Sequence, residues 1–132
     1  MIFVDTSAFI ALVDQGDKFN KLAIEWWKKN QGVELVTSNL VIIETLGWIR
    51  NKRGKAAALK LEAGITEVEG MSVIRVTEGD EREGREWFKK LDGRGVSMID
   101  CTTIAVMKRQ KINTIFAFDE DFEKAGFEVV PN

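Results

Sequence analysis

The sequence contains no histidine and only one cysteine, Cys101. Zinc sites of the usual kinds need histidine or several cysteines, so they are excluded, as are a Ser-His-Asp triad and a histidine general base. A single cysteine cannot form an internal disulfide, and we therefore expect a cytoplasmic protein. There is also no apolar run of about 18 residues and no basic-then-apolar leader, so neither membrane spanning nor secretion is predicted. Any chemistry must use carboxylates, hydroxyls, lysine and arginine, or hard metal ions.

The remaining composition is that of a globular protein. The chain has 132 residues, of which 45% are hydrophobic and 30% charged, and we expect a single domain over residues 1–132. The formal net charge of −2 gives no direct indication of nucleic-acid binding.

Short apolar segments alternate with helical patterns along the whole chain. Strands are predicted near residues 2–4, 33–36, 71–76, 114–118 and 127–130. The longest helices are predicted over residues 40–52, 55–68, 78–91 and 97–110, and Asp17 is a candidate N-cap for an earlier helix. This alternation favours an α/β fold with a central parallel sheet of four to five strands flanked by helices.

Two aspartates follow strands directly. Asp5 comes after the first strand, and Asp119 follows the strand predicted over residues 114–118. The carboxyl ends of parallel strands border the crevice in which open α/β sheets bind ligands. Asp119 can instead cap the helix beyond it, and Asp121 lies two residues further on, so the choice between these two acids stays open.

Two further acids occupy unusual helical positions. Glu44 has Leu40, Val41, Gly47 and Trp48 as its helical neighbours, so it lies on an apolar face and needs either a basic partner or a cation. Asp100 stands three residues after Ser97, which is the spacing of a capping box. Each signal has a structural explanation when it is taken alone.

Taken together, the acids predict a metal site. Carboxylates that converge at one sheet edge raise each other's pKa unless a cation neutralises them. Oxygen ligands without histidine or cysteine select Mg²⁺ or Mn²⁺, and one or two such ions suit phosphodiester hydrolysis. Neutralising Asp5, Glu44, Asp100 and Asp119 removes four negative charges and changes the formal net charge from −2 to +2. The remaining surface is then compatible with an RNA backbone.

The order and spacing of these motifs resemble those of a PIN-domain ribonuclease, in particular a VapC-type toxin of a toxin–antitoxin pair. The resemblance covers nearly the whole chain and rests on Asp5-Thr6-Ser7, Ser38 to Glu44, Asp100, and Phe118 to Phe122. It implies a three-layer PIN-like fold and endonucleolytic cleavage of RNA with Mg²⁺ or Mn²⁺. It also implies a homodimer and a cognate antitoxin whose tail occupies the acidic groove.

The resemblance carries over to particular positions. It implies that Asp5, Glu44, Asp100 and Asp119 are the catalytic acids and metal ligands, that Asp121 matches a less constant acid, and that Thr6 and Ser38 hydrogen-bond ligands or bound water. Ser7 is read as a helix cap. The chain departs from the family pattern at Asn20, near which many members have histidine, and at Cys101, where alanine is common. We read Cys101 as a packing residue, because no histidine can activate it.

A basic cluster follows Glu44 in the same helix. Arg50, Lys52 and Arg53 either contact substrate phosphates at the rim of the site or complement the dipole of a solvated helix end. Two other functions remain open. The chain can be an α/β phosphoryl-transfer or phosphoacceptor protein that uses Asp5, or a non-catalytic PIN-like scaffold that only binds a partner.

Overall fold

A computed structural model describes residues 1–68 and 70–132. The strands in these ranges are β1 (Ile2–Val4), β2 (Leu35–Ser38), β3 (Met71–Ile74), β4 (Thr114–Phe116) and β5 (Glu128–Val130). The helices are α1 (Thr6–Val13), α2 (Asn20–Lys29), α3 (Asn39–Arg53), α4 (Lys55–Glu67), α5 (Glu78–Lys90), α6 (Met98–Gln110) and α7 (Asp121–Lys124). Within the described ranges no helix is both long enough and apolar enough to cross a membrane.

The five strands form one parallel sheet in the order β3-β2-β1-β4-β5. In the central strand β1, Phe3 and Val4 are fully buried, as expected for a parallel sheet flanked by helices. The chain leaves β1 on one side for β2 and β3, and then crosses to the other side for β4 and β5. The carboxyl ends of β1 and β4 therefore border the point at which the strand order reverses, where open α/β sheets bind ligands. The predicted fold is confirmed, with five strands.

Three local predictions were wrong in their boundaries. Strand β2 begins at Leu35 and continues through Ser38, and β4 ends at Phe116, so two residues separate it from Asp119. The N-cap of α2 is Phe19; the Asp17 carboxylate instead accepts a hydrogen bond of 2.8 Å from the Phe19 N–H, in a turn before the helix. An aspartate carboxylate accepts the same short-range hydrogen bond from a backbone N–H in a turn and at a helix N-cap. The position of Asp17 in the sequence therefore does not distinguish a turn from an N-cap.

Helices α5 and α6 pack closely at two points. Gly84 of α5 lies so near Thr102 of α6 that an added Cβ would be 3.1 Å from the Thr102 Cα. At the other end of the pair, Asp80 accepts two hydrogen bonds of 2.8 Å from the Arg109 guanidinium. Burial of Asp80 opposes its ionisation, but the bonds from Arg109 and Thr77 outweigh that effect and lower its pKa below the usual value. Both contacts fix α6, whose first turn carries Asp100.

Candidate metal centre

Asp5 is the N-cap of α1 and lies at the carboxyl end of β1, and only 2% of its surface is exposed. Its Oδ2 atom accepts hydrogen bonds from the Ser7 N–H at 3.1 Å and from the Ser7 hydroxyl at 2.6 Å. Within the part of the chain that the structure describes, its buried Oδ1 atom has no hydrogen-bond partner, and the same is true of the Thr6 hydroxyl oxygen. A buried acceptor without a partner carries a desolvation cost that a bound cation or water would remove.

Asp100 takes part in two arrangements at once. It forms the capping box that the sequence predicts, in which its backbone N–H donates to the Ser97 hydroxyl at 3.0 Å and its Oδ2 accepts from the Ser97 N–H at 3.2 Å. One of its carboxylate oxygens also lies within 4.8 Å of oxygens from Asp119 and Asp121. The helix cap therefore orients the same carboxylate toward the acidic cluster.

Asp119 and Asp121 both reach this cluster, from the turn that follows β4. The Asp119 Oδ1 accepts a hydrogen bond of 2.9 Å from the Asp121 N–H, which fixes the turn. The Asp121 side chain is 14% exposed and pairs with Lys124 at 3.2 Å. The sequence left open which of the two acids points inward, and the structure brings both beside Asp100.

The charges of these acids act on one another. Burial and, to a smaller extent, the charge of Asp119 raise the pKa of Asp5 to about 6, although the hydrogen bonds from Ser7 oppose this rise. Burial also raises the pKa of Asp100 to about 7, together with the charges of Asp5 and Asp119. The pKa of Asp119 is likewise raised, first by burial. Mutual repulsion of this kind is what a bound cation relieves.

Glu44 is not a member of the cluster formed by the three aspartates. It is half-buried in α3, next to Ile43, which is 64% exposed. The sequence allowed a salt bridge as its structural explanation, but among residues 1–68 and 70–132 no lysine or arginine pairs with it. Its carboxylate is therefore not explained by the ion pairs of the described chain.

The basic cluster is largely engaged elsewhere. Asp14, the C-cap of α1, accepts hydrogen bonds from the Arg53 guanidinium, including one of 3.0 Å from Nε, and its Oδ2 lies 3.4 Å from the Lys52 Nζ. Burial of Asp14 opposes its ionisation, but the bonds from Arg53 and Gly16 outweigh this and lower its pKa. Lys52 and Arg53 remain about half exposed, and Arg50 is exposed. No local sequence pattern indicates this role for Asp14, because its partners Lys52 and Arg53 lie in a distant segment.

Two further side chains have local roles. Ser38 is the N-cap of α3 and accepts a hydrogen bond of 3.2 Å from the Val41 N–H. Cys101 is fully buried, and burial raises the pKa of its thiol to about 11, so it stays protonated at neutral pH. Its placement agrees with a packing role.

The residues present fit a divalent cation. The donor atoms are all carboxylate or hydroxyl oxygens, which hard cations prefer. Asp100, Asp119 and Asp121 supply carboxylate oxygens within 4.8 Å of one another. The charge of Asp5 raises the pKa of Asp100, and the charge of Asp119 raises the pKa of Asp5. The buried Oδ1 of Asp5, which has no hydrogen-bond partner among residues 1–68 and 70–132, is a further carboxylate oxygen available to such a cation.

Comparison with known families decides the classification. The family described as PIN domain matches residues 2–128. The chain belongs to the PIN-domain family. The PIN-domain assignment rests on nearly the full sequence, in agreement with the order of motifs from Asp5 to Asp121.

Individual similar proteins support the PIN-domain assignment. The chain is 39% identical over 132 residues to a protein named 23S rRNA-specific endonuclease VapC20 from Mycobacterium tuberculosis, covering 99% of each sequence, in two strains. It is also similar to the crystal structure of VapC20 from that organism, described as a sarcin-ricin loop cleaving toxin, with a TM-score of 0.85, 36% identity and 96% of each chain covered. The structure of FitAcB from Neisseria gonorrhoeae shares the fold at a TM-score of 0.71 and 15% identity, covering 98% of this chain and 96% of that one.

Proposed function

We propose that this PIN-domain protein is a metal-dependent endoribonuclease, the toxin of a toxin–antitoxin pair. The observation that carries the proposal is the cluster of Asp100, Asp119 and Asp121 at the sheet edge where β1 ends in Asp5, whose Oδ1 is buried and has no hydrogen-bond partner among the described residues. Acids placed in this way are expected to hold Mg²⁺ or Mn²⁺. The relative that is named a 23S rRNA-specific endonuclease supports structured RNA as the substrate class.

In the proposed site Asp5, Asp100 and Asp119 hold the ion, and Asp121 assists from the same turn. A bound Mg²⁺ or Mn²⁺ supplies the charge that activates water and stabilises a leaving oxygen. The chain's own part is to orient the carboxylates, which it does through the bond from Ser7, the capping box at Asp100 and the turn at Asp119. We assign to Thr6 the binding of a metal-bound water, a role supported by its buried hydroxyl, which has no hydrogen-bond partner among the described residues.

Glu44 belongs to the proposed set on the basis of helix register. Helices α1 and α3 begin after the neighbouring parallel strands β1 and β2, so they run in the same direction away from the sheet edge. Arg53 near the end of α3 pairs with Asp14 at the end of α1. Glu44 precedes Arg53 by nine residues, and Asp5 precedes Asp14 by nine residues. Because each helical residue advances the chain by the same distance, this equal spacing supports a position for Glu44 beside Asp5 along the helix axes.

The basic residues have a secondary place in this proposal. Arg50 is exposed and suits phosphate contact, whereas Lys52 and Arg53 share their charge with Asp14 and contact phosphate only from the rim. The alternative role for Asp5 as a phosphoacceptor is disfavoured because the carboxylate is 2% exposed and one oxygen already accepts two hydrogen bonds.

The proposed partners follow from the family. A cognate antitoxin is expected to place its tail in the acidic groove, and the protein is expected to be a cytoplasmic homodimer; the solved relatives include a toxin–antitoxin complex. Sedimentation of the purified protein measures the oligomeric state. A small gene immediately upstream, with a DNA-binding start and an amphipathic tail, would identify the antitoxin.

The deciding experiment measures cleavage of 23S rRNA by the purified protein in Mn²⁺, in Mg²⁺ and in excess EDTA. Wild-type protein should cleave only with metal, and Asp5→Asn should be inactive while keeping its circular dichroism spectrum. Glu34→Gln is the control, because Glu34 is an exposed acid beside the opposite end of β2. Cleavage in EDTA, or full activity of the Asp5→Asn protein, would refute the proposal.

A further inference from the structure

Ser7 connects the two strand ends that carry the acids. Its hydroxyl oxygen accepts a hydrogen bond of 2.9 Å from the backbone N–H of Phe118, 111 residues away along the chain. The same oxygen lies 2.6 Å from the Asp5 Oδ2. A hydroxyl has one proton, so with the Phe118 amide donating to Ser7, the proton of Ser7 points to Asp5.

This connection fixes the Asp5 carboxylate in one orientation. Oδ2 is held by both the amide and the hydroxyl of Ser7, while Oδ1 stays buried and free. Oδ1 is therefore the Asp5 oxygen that remains available to a cation, since Oδ2 already accepts two hydrogen bonds. Without the Ser7 hydroxyl, Oδ2 would keep only the 3.1 Å bond from the Ser7 amide, and the carboxylate could turn.

The second end of the connection sets the position of Asp119. Phe118 is the residue directly before Asp119, and its N–H is the group that Ser7 binds. Strand β4 ends at Phe116, so the ladder with β1 ends before this peptide. The bond to Ser7 therefore holds the chain just beyond the end of the ladder.

We propose that Ser7 is a positioning residue of the metal site, in which one hydroxyl holds the Asp5 carboxylate and the peptide preceding Asp119 in register with each other. This rests on the proposed metal site. From the sequence alone, Ser7 was interpreted as the cap of a helix. Asp5, not Ser7, is the cap of α1. Removing a residue that hydrogen-bonds to a metal ligand and orients it typically weakens metal affinity by about 10- to 100-fold.

The test compares Mn²⁺ affinity, measured by calorimetry on the full chain, between wild type and three variants. Ser7→Ala removes the hydroxyl and should weaken Mn²⁺ binding about 10- to 100-fold. Ser7→Thr keeps the hydroxyl and should bind within a few-fold of wild type. Ser72→Ala, at an exposed position of β3, is the matched control and should leave affinity unchanged.

A second measurement is independent of metal. In the metal-free protein, hydrogen exchange of the Phe118 amide should be faster in Ser7→Ala than in wild type and restored in Ser7→Thr, because exchange reports on that bond. If Ser7→Ala does not fold, Ser7→Cys decides, since a thiol of similar size bonds only weakly and should show the same loss.

Unchanged Mn²⁺ affinity and unchanged Phe118 exchange in a folded Ser7→Ala or Ser7→Cys protein would overturn the inference. So would equal losses in Ser7→Ala and Ser7→Thr, which would show that packing, not the hydroxyl, matters. Failure of the proposed function looks different, because the wild-type protein itself would then neither bind Mn²⁺ nor cleave RNA.

Discussion

The carboxylate of Asp14 and the guanidinium of Arg53 join the end of α1 to the end of α3. Asp14 is nine residues beyond Asp5, and Arg53 is nine residues beyond Glu44. The pair therefore connects the two helices nine residues beyond each of these acids. Any change at Asp14 tests how firmly α3 is held against α1.

Asp14→Asn should lower the melting temperature by about 3–6 °C at neutral pH, because Arg53 and Lys52 lose their shared counter-charge. The pKa of Asp14 is lowered in the folded protein, so its contribution is present above the usual pKa of aspartate and is lost as pH falls through the lowered value. The melting temperatures of wild type and variant should therefore converge in acid. Asp92→Asn, at an exposed loop, is the control, and an equal effect there would contradict the expectation.

Glu44→Gln should weaken Mn²⁺ binding about tenfold or more and lower RNA cleavage at least as much, because it removes one charge from the proposed set. Its melting temperature without metal should stay equal or rise, since the half-buried Glu44 has no basic partner among the described residues. Calorimetry and thermal melts check both parts. Wild-type Mn²⁺ affinity in this variant, with Glu34→Gln as the reference, would remove Glu44 from the site.

The metal-free protein should lose stability as pH rises from about 5 to about 8. Asp5 and Asp100 have pKa values raised to about 6 and about 7 in the folded state. Through this window the folded state holds more protons than the unfolded state, so unfolding becomes easier as pH increases. Melts in EDTA should show the decline, and Mn²⁺ should reverse it most at the upper end of the range. A rising melting temperature over this range in EDTA would be inconsistent with the raised pKa values.

Gly84→Ala should destabilise the protein by about 1–3 kcal/mol, because its Cβ would meet the backbone of Thr102 at 3.1 Å and α5 would have to move away from α6. Gly79→Ala is the matched control in the same helix. Its Cβ would lie 3.6 Å from the Thr77 hydroxyl, an ordinary contact, so the change should be neutral or stabilising by about 0.5–1 kcal/mol. Chemical denaturation measures both, and equal effects would show that the close approach at Gly84 is unimportant.

The fold and the candidate acids could be predicted from the sequence because both depend on local sequence patterns. Alternating apolar segments predict the parallel sheet, and an acid directly after an apolar strand marks Asp5. The capping box at Asp100 is a local motif, and it is present. By contrast, the ion pair of Asp14 with Arg53 spans 39 residues and the bond from Phe118 to Ser7 spans 111. No local periodicity encodes such pairs, so the sequence does not predict the partner of Asp14 and indicates only a helix cap at Ser7.

The sheet order has a consequence for when the site comes into being. Asp119 and Asp121 are synthesised long after Asp5, yet they lie at the same edge of the sheet because β4 pairs with β1. A chain that has been synthesised only as far as α6 lacks β4. It therefore has neither the turn that carries these two acids nor the Phe118 amide that donates a hydrogen bond to Ser7. The protein becomes competent only after strand β4 has been made and docked.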